Sequence, residues 1–317
     1  MKPFRAISVQ MEWRPEYYSS EESFAGKLNS VMDKIEPLLS KELPNLVSLP
    51  EDLGTPLILA TCQVDPGEYR TFASAASGVV RRNIIQVLTI RLLKGAGNVR
   101  ALYLLKSHDM ALIYLRTLKR FASRLGTYVV GGSILLPDFD NYRELNPMGN
   151  AVYNISFVFS PEGNIIGRQK KVHLIDLEGQ KGLDAEPSHL SDISVIDLGF
   201  VKMGLAICYD AFFMEVVEKL VAQGAEVLVQ PSANPAFWTR QQEEEWATGT
   251  LKMVRQFTQL KYGINPMMVG KMFDLPFEGR SSIIGKADSG PNDRGYLRRA
   301  KSKDQEEILV ADLFPSQ

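Results

Sequence analysis

Apolar positions along this chain follow two periods. Short apolar runs bounded by polar or turn residues predict strands at 4–10, 45–50, 128–136, 150–160, 164–168, 203–207, 225–230, 265–272, 281–284 and 307–313. Helical spacing runs between them. Phe24, Leu28, Val31, Ile35 and Leu38 mark a helix over 21–39, and further helices are predicted over 80–93, 110–125, 213–221 and 238–262. Gly95-Ala-Gly-Asn98 reads as a break between two helices, and Pro161-Glu-Gly-Asn164 as the turn of a hairpin. Strands and helices interleave from end to end, with no repeat and no Pro/Gly/Ser linker. The expectation is therefore one α/β domain over 1–317. The alternation alone fits a doubly wound single sheet as well as two packed sheets.

Composition narrows the classes. The chain has 317 residues and is 45% hydrophobic, enough for a full core. A formal net charge of −1 offers no global attraction to nucleic acid or an anionic membrane, and no partner of either kind is expected. Arg81, Arg82, Arg91, Lys94 and Arg100 cluster locally, but aromatics are sparse there, so they read as a solvated helix face. The two cysteines, Cys62 and Cys208, lie far apart, which suits a reducing compartment better than a disulfide scaffold. His108, His173 and His189 have no ligand spacing with them, so no metal is expected. Neither a leader segment nor a bilayer-spanning apolar run is evident, and a cytoplasmic protein is expected.

Three side chains carry candidate chemistry. Cys208 sits where the 203–207 strand ends and a helix starts. It would project from the carboxyl edge of a sheet, where the following backbone N–H groups lower a thiol's pKa and hold an oxyanion. A core cysteine at a strand end is the plainer alternative. Glu51 follows a strand that stops at Pro50, and alone it reads as an exposed loop acid. Lys170 and Lys171 follow the hairpin and alone read as solvated lysines.

Taken together, Leu49-Pro-Glu-Asp52, Lys171-Val-His-Leu174 and Ile207-Cys-Tyr-Asp210 resemble the nitrilase superfamily, the carbon–nitrogen hydrolases. The likeness extends to the strand ending in Gln10, Gly131-Gly-Ser133, the hairpin of Asn154 to Arg168, Pro231-Ser-Ala-Asn234 and Ala311-Asp312. The resemblance implies a four-layer α-β-β-α sandwich, a homodimer or larger assembly, and no cofactor. It also implies a triad of Glu51 as general base, Lys171 (not Lys170) as fixed cation and Cys208 as nucleophile. The substrate would be a small amide or carbamoyl compound, cleaved through a thioester with release of ammonia or amine. Nitrile hydrolysis by the same triad, and a non-catalytic scaffold, stand as alternatives.

Other roles are carried over on the same basis. Glu178 matches best the second glutamate that many members place after the Lys-x-His-Leu segment; otherwise it is a loop acid. The Tyr209 N–H would serve the oxyanion, and Phe212, Asn234 and Trp238 would wall the pocket. His173 and Asp210 are expected to brace loops, and Cys62 to be inert. Two departures stand out. Phe212 occupies a position where the family often has an arginine, which disfavours carboxylate-bearing substrates. The segment at about 77–125 is longer than usual and is expected to be a helical insertion forming a lid, a pocket wall or an oligomer contact.

Overall fold

The computed structural model describes residues 1–142, 144–286 and 295–315. Two sheets organise them. The ten-stranded sheet has the neighbour order Ser232–Ala233, Met267–Met272, Phe4–Trp13, Asn45–Leu49, Tyr128–Gly131, Pro147–Phe159 and Ile134–Phe139. Glu307–Leu313 pairs antiparallel with Phe4–Trp13, and Ile165–Lys170 forms the hairpin with Pro147–Phe159. The six-stranded sheet runs Tyr296–Arg299, Ser282–Ile284, Tyr262–Asn265, Val227–Val229, Lys202–Leu205 and Ile196–Asp197.

Among the described residues eight α-helices flank the sheets: α1 (Glu21–Ile35), α2 (Leu57–Thr61), α3 (Phe72–Arg82), α4 (Ile84–Lys94), α5 (Asn98–Leu125), α6 (Met214–Ala222), α7 (Arg240–Trp246) and α8 (Thr250–Gln256). Period-two alternation in the first strand splits its side chains between two cores. Ile7, Val9 and Met11 face α1 and α5, whereas Phe4 and Ala6 face Met203, Val229 and Ile264 of the other sheet. The outer face of the smaller sheet, including Ala206 and Leu228, packs on Val216 and Leu220 of α6 and Val254 of α8. Three apolar interfaces thus separate four layers, α-β-β-α, and the single-sheet alternative is excluded.

Several boundaries differ from the periodic reading. The helix expected over 80–93 is two, broken at Asn83, whose side-chain amide donates to the Val79 carbonyl at 2.9 Å. The helix of 110–125 begins a dozen residues earlier, at Asn98, so α5 spans 28 residues. The long helix of 238–262 is α7 and α8, separated around Gly249. A Cβ at Gly249 would stand only 3.2 Å from the Phe212 ring, so the break lets the chain pass close to the turn after Cys208. The run 265–272 is divided at Pro266: Tyr262–Asn265 lies in one sheet and Met267–Met272 in the other. Proline supplies no N–H, which suits the point where the chain leaves one ladder for the next. No helix among the described residues is long and apolar enough to cross a membrane.

The glycine pair in 128–136 also ends a strand. Gly132 has φ +70°, and a Cβ there would lie 2.1 Å from the Pro50 carbonyl oxygen. Ser133 follows and holds the next turn, its Oγ accepting from the Asp52 N–H at 2.9 Å and its carbonyl from the Gly54 N–H at 2.9 Å. Gly132→Ala combines a left-handed backbone with a backbone clash, a strain of about 1–3 kcal/mol or more. It is expected to lower the thermal unfolding midpoint by about 5 °C. An unchanged midpoint in a calorimetric scan would contradict this packing.

Candidate active site

Three chain segments converge at the carboxyl ends of the central strands. Glu51 comes one residue after Pro50, beyond the strand Asn45–Leu49. Lys171 follows the hairpin strand Ile165–Lys170, and its N–H donates to the Asn154 carbonyl at 2.9 Å. Cys208 opens the 3₁₀ turn Cys208–Phe212 beyond the strand Lys202–Leu205.

The Lys171 ammonium donates to Glu51 Oε1 at 2.7 Å and to Glu178 Oε2 at 2.6 Å. All three side chains are buried. The other oxygens are satisfied as well. Glu51 Oε2 accepts from the Ala233 N–H at 3.0 Å, and Glu178 Oε2 accepts a second bond from the Ile175 N–H at 2.9 Å. Asn154 bridges the two acids, its amide donating to Glu51 Oε1 at 3.1 Å and to Glu178 Oε1 at 2.7 Å. The structure therefore places Glu178 against Lys171 and not on an exposed loop.

One cation serves two carboxylates in a dry site. Burial and the charges of Glu51 and Glu178 act on Lys171 in opposite directions; the carboxylates prevail, and its pKa lies well above the ordinary lysine value. Glu51 is pushed up, first by desolvation, against the pull of Lys171, with Glu178 adding repulsion. The two shifts are compatible, because a single ammonium compensates only part of the negative charge around it.

Cys208 is 4% exposed, so the accessible edge thiol expected from the strand-to-helix position is instead a covered one. Its pKa is raised well above the free thiol value, not lowered. Desolvation is the largest cause, the Glu51 carboxylate adds to it, and Lys171 opposes it. The resting thiol is protonated and beside a carboxylate. The Cys208 backbone has φ +49°, a conformation that costs a non-glycine residue about 1–3 kcal/mol. Two bonds hold it: its N–H donates to the Pro231 carbonyl at 2.8 Å, and its own carbonyl accepts from Gln230 Nε2 at 2.9 Å. Among the described residues the Tyr209 N–H has no protein acceptor, so it is available beside the sulfur.

Asp210 ties two of the segments together. Its buried carboxylate accepts from the N–H of Val172 at 3.1 Å and of His173 at 2.7 Å, immediately after Lys171. The His173 ring lies flat on Phe213, with centroids 3.6 Å apart and 4° between planes, and hydrogen-bonds Asp210 at 3.2 Å. The Asp210 bond raises the His173 pKa. Both residues brace the loops, as expected. Cys62 lies apart, beside α2, and burial raises its pKa.

The expected pocket residues divide. Asn234 adjoins the cluster, following Ala233, and donates to the Glu278 carbonyl at 3.0 Å. Phe212 and Trp238 each pack on Trp246, with centroids 5.4 and 6.0 Å away. Asn154 was the residue that periodicity missed. Its signal is an amide at a wholly buried position inside an apolar strand, where a polar side chain must have a buried partner.

The chain belongs to the carbon–nitrogen hydrolase family, whose profile matches residues 8–288. Individual relatives match in part. Nitrilase homolog 2 of Dictyostelium discoideum is 30% identical over 133 residues, 39% of this chain and 38% of that protein. Omega-amidase NIT3 of Saccharomyces cerevisiae is 31% identical over 120 residues, 37% of this chain and 38% of its own length. The matched region thus spans about two fifths of these relatives. In three dimensions the likeness runs through the whole fold. Crystalline Saccharomyces cerevisiae Nit3, a member of branch 10 of the nitrilase superfamily, superposes with TM-score 0.64 at 20% identity, covering 99% of this chain and 91% of that one. A carbon–nitrogen hydrolase from Helicobacter pylori G27 gives 0.62 at 18% identity, covering 98% and 89%.

The buried ion cluster has a direct consequence for stability. Lys171→Met strands Glu51 and Glu178 without their cation, and breaking a buried pair costs roughly 3–5 kcal/mol. Chemical denaturation should register that loss in the unfolding midpoint. A midpoint equal to the parent's would mean that the two acids are not both charged.

Proposed function

We propose that this chain hydrolyses the amide C–N bond of a small substrate, with Cys208 as nucleophile. The observation that carries the reading is the Lys171 ammonium shared between Glu51 and Glu178 next to the Cys208 thiol. Glu51 takes the Sγ–H proton as sulfur attacks the carbonyl carbon. The C=O π pair moves onto oxygen, where the third proton of the Lys171 ammonium and the Tyr209 N–H receive it; each such donor is worth ~10²–10³ in rate. The tetrahedral species collapses by breaking C–N. Glu51 returns its proton to the departing nitrogen, and ammonia or amine leaves a thioester on Cys208. Water adds to the thioester carbonyl, giving its proton to Glu51. Cleavage of C–S releases the acid, and the sulfur recovers the proton from Glu51. Glu178, Asn154 and Asp210 act as positioning residues for Lys171 and Glu51.

Amide cleavage is favoured over nitrile cleavage by the relatives named omega-amidases. The substrate's body is proposed to be apolar. The support is a nearly all-apolar cavity that none of Glu51, Lys171, Glu178 and Cys208 lines, but that shares two chain segments with the cluster: Thr55 and Pro56 follow Glu51, Leu177 precedes Glu178, and Phe72, Val79 and Tyr103 of the helical segment complete the wall. With phenylalanine at 212, no arginine there is available to meet a substrate carboxylate. Among amides of similar size, an uncharged aliphatic amide is expected to give a higher kcat/KM than one with a terminal carboxylate. The reverse order would reject an apolar site.

Cys208→Ala is expected to lower ammonia release from an accepted amide by at least ~10⁴-fold with the circular dichroism spectrum unchanged. Retained turnover would remove Cys208 from the reaction. A pH profile tests the base. Glu51 must be ionised to accept the thiol proton, and its raised pKa keeps it protonated to higher pH than an ordinary glutamate. Activity should therefore rise with pH through a limb well above 4.5, the ordinary glutamate value. A limb at or below that value would exclude Glu51 as the base.

A further inference from the structure

Helix α4 is amphipathic in the wrong direction for a core helix. Of its eleven residues only Val87 is buried. Ile85, Leu92 and Leu93 are 76%, 88% and 74% exposed, and Ile84 and Leu88 are also exposed. At ~100° per residue these five side chains cover about half of the helix circumference, on the side away from Val87. No other helix among the described residues carries more than one exposed large apolar side chain.

The stretch of sequence around this helix carries charge of one sign. From residue 69 to residue 108 the sequence holds seven Lys or Arg and no Asp or Glu, in a chain whose net charge is −1. Arg81, Arg82, Arg91 and Lys94 all belong to α3 and α4 and are exposed. Arg82 pairs with Glu68. Among the described residues no acid pairs with Arg81 or Arg91; Lys94, seven residues after Val87 and so on the same side of the helix, donates to the Gly149 carbonyl at 3.0 Å. A convex apolar ridge rimmed by cations needs a partner with an apolar interior and an anionic surface, and one that requires no groove to receive it. A second copy of this chain is a poor fit, because a two-fold contact through α4 would bring the same cations against each other.

We propose that α4 docks the protein onto an anionic lipid surface, with Ile85, Leu88, Leu92 and Leu93 entering the headgroup boundary and Arg81 and Arg91 meeting lipid phosphates and carboxylates. This proposal departs from the solvated face and the absence of a membrane partner expected from composition. Docking of this kind is peripheral, with no segment crossing the bilayer.

Vesicle co-sedimentation of the full chain tests the proposal. The protein is expected to sediment with equimolar phosphatidylcholine–phosphatidylserine vesicles at low salt, to be released by high salt, and to stay in solution with phosphatidylcholine alone. The triple change Ile85→Ser, Leu92→Ser and Leu93→Ser touches only exposed side chains and should lower the partition at least ~10-fold. Three results would overturn the inference: no sedimentation with the anionic vesicles, equal sedimentation with the neutral ones, or a triple variant that sediments like the parent. Light scattering on the same samples covers the remaining occupant. A dimer at low salt that the triple variant splits would assign the ridge to self-association instead.

Discussion

Everything at this site depends on one ammonium group held between two carboxylates out of reach of water. Lys171 reaches Glu51 and Glu178 at 2.7 and 2.6 Å, and all three side chains are 3% exposed or less. Such a cluster is costly to bury unless every lone pair and proton finds a partner. Here the four carboxylate oxygens find partners from four places in the sequence: the Ala233 and Ile175 N–H groups, the Asn154 amide and the Lys171 ammonium itself. The fold must therefore bring those segments to one point with hydrogen-bond accuracy. The parallel pairings at the centre of each sheet do this by aligning carboxyl ends.

The backbone contributes as much as the side chains. Asp52 and Cys208 both have positive φ, at 58° and 49°, and each lies within one residue of a turn that presents a reactive group. Strain of that kind persists only where the surroundings fix it. The Ser133 hydroxyl fixes the first and Gln230 the second. Asp210 couples the cysteine turn to the lysine loop, so neither can shift without the other. The electrostatic result follows from this rigidity. Burial raises the pKa of both Glu51 and the Cys208 thiol, and the Lys171 ammonium pulls against each rise.

The three candidate residues were legible because each sits in a short local signature: Pro-Glu, Lys-x-His-Leu and Cys-Tyr-Asp. Their meeting was not, since nothing in the alternation of periods distinguishes one sheet from two. Local reading also failed where tertiary packing decides. Pro266 looks like a strand interior until the two ladders on either side of it are known. The break near Gly249 serves Phe212, which is remote in sequence. Asn154 has no local signature, because its two acceptors come from other loops. The accessible thiol expected at position 208 is covered because the Pro231-Ser-Ala-Asn234 segment closes over it, with the Ala233 carbonyl 3.9 Å from the sulfur. Helix α4 carries the opposite lesson. Its cations look solvated when counted alone, and only the burial pattern reveals that the apolar side also faces outward.

The helical segment is also wired to the reaction centre. Arg100, two residues into α5, donates to the carboxylate and carbonyl of Asp184 at 2.8 and 2.9 Å, on the loop that carries Glu178. The central claim, though, concerns the sulfur that this machinery surrounds. Acid quenching during turnover of an accepted amide, followed by peptide mass analysis, tests it most directly. The account predicts an added mass equal to the substrate less ammonia or amine, on the peptide containing Cys208. Steady turnover with that peptide never modified, or with the mass on Cys62 instead, would contradict it.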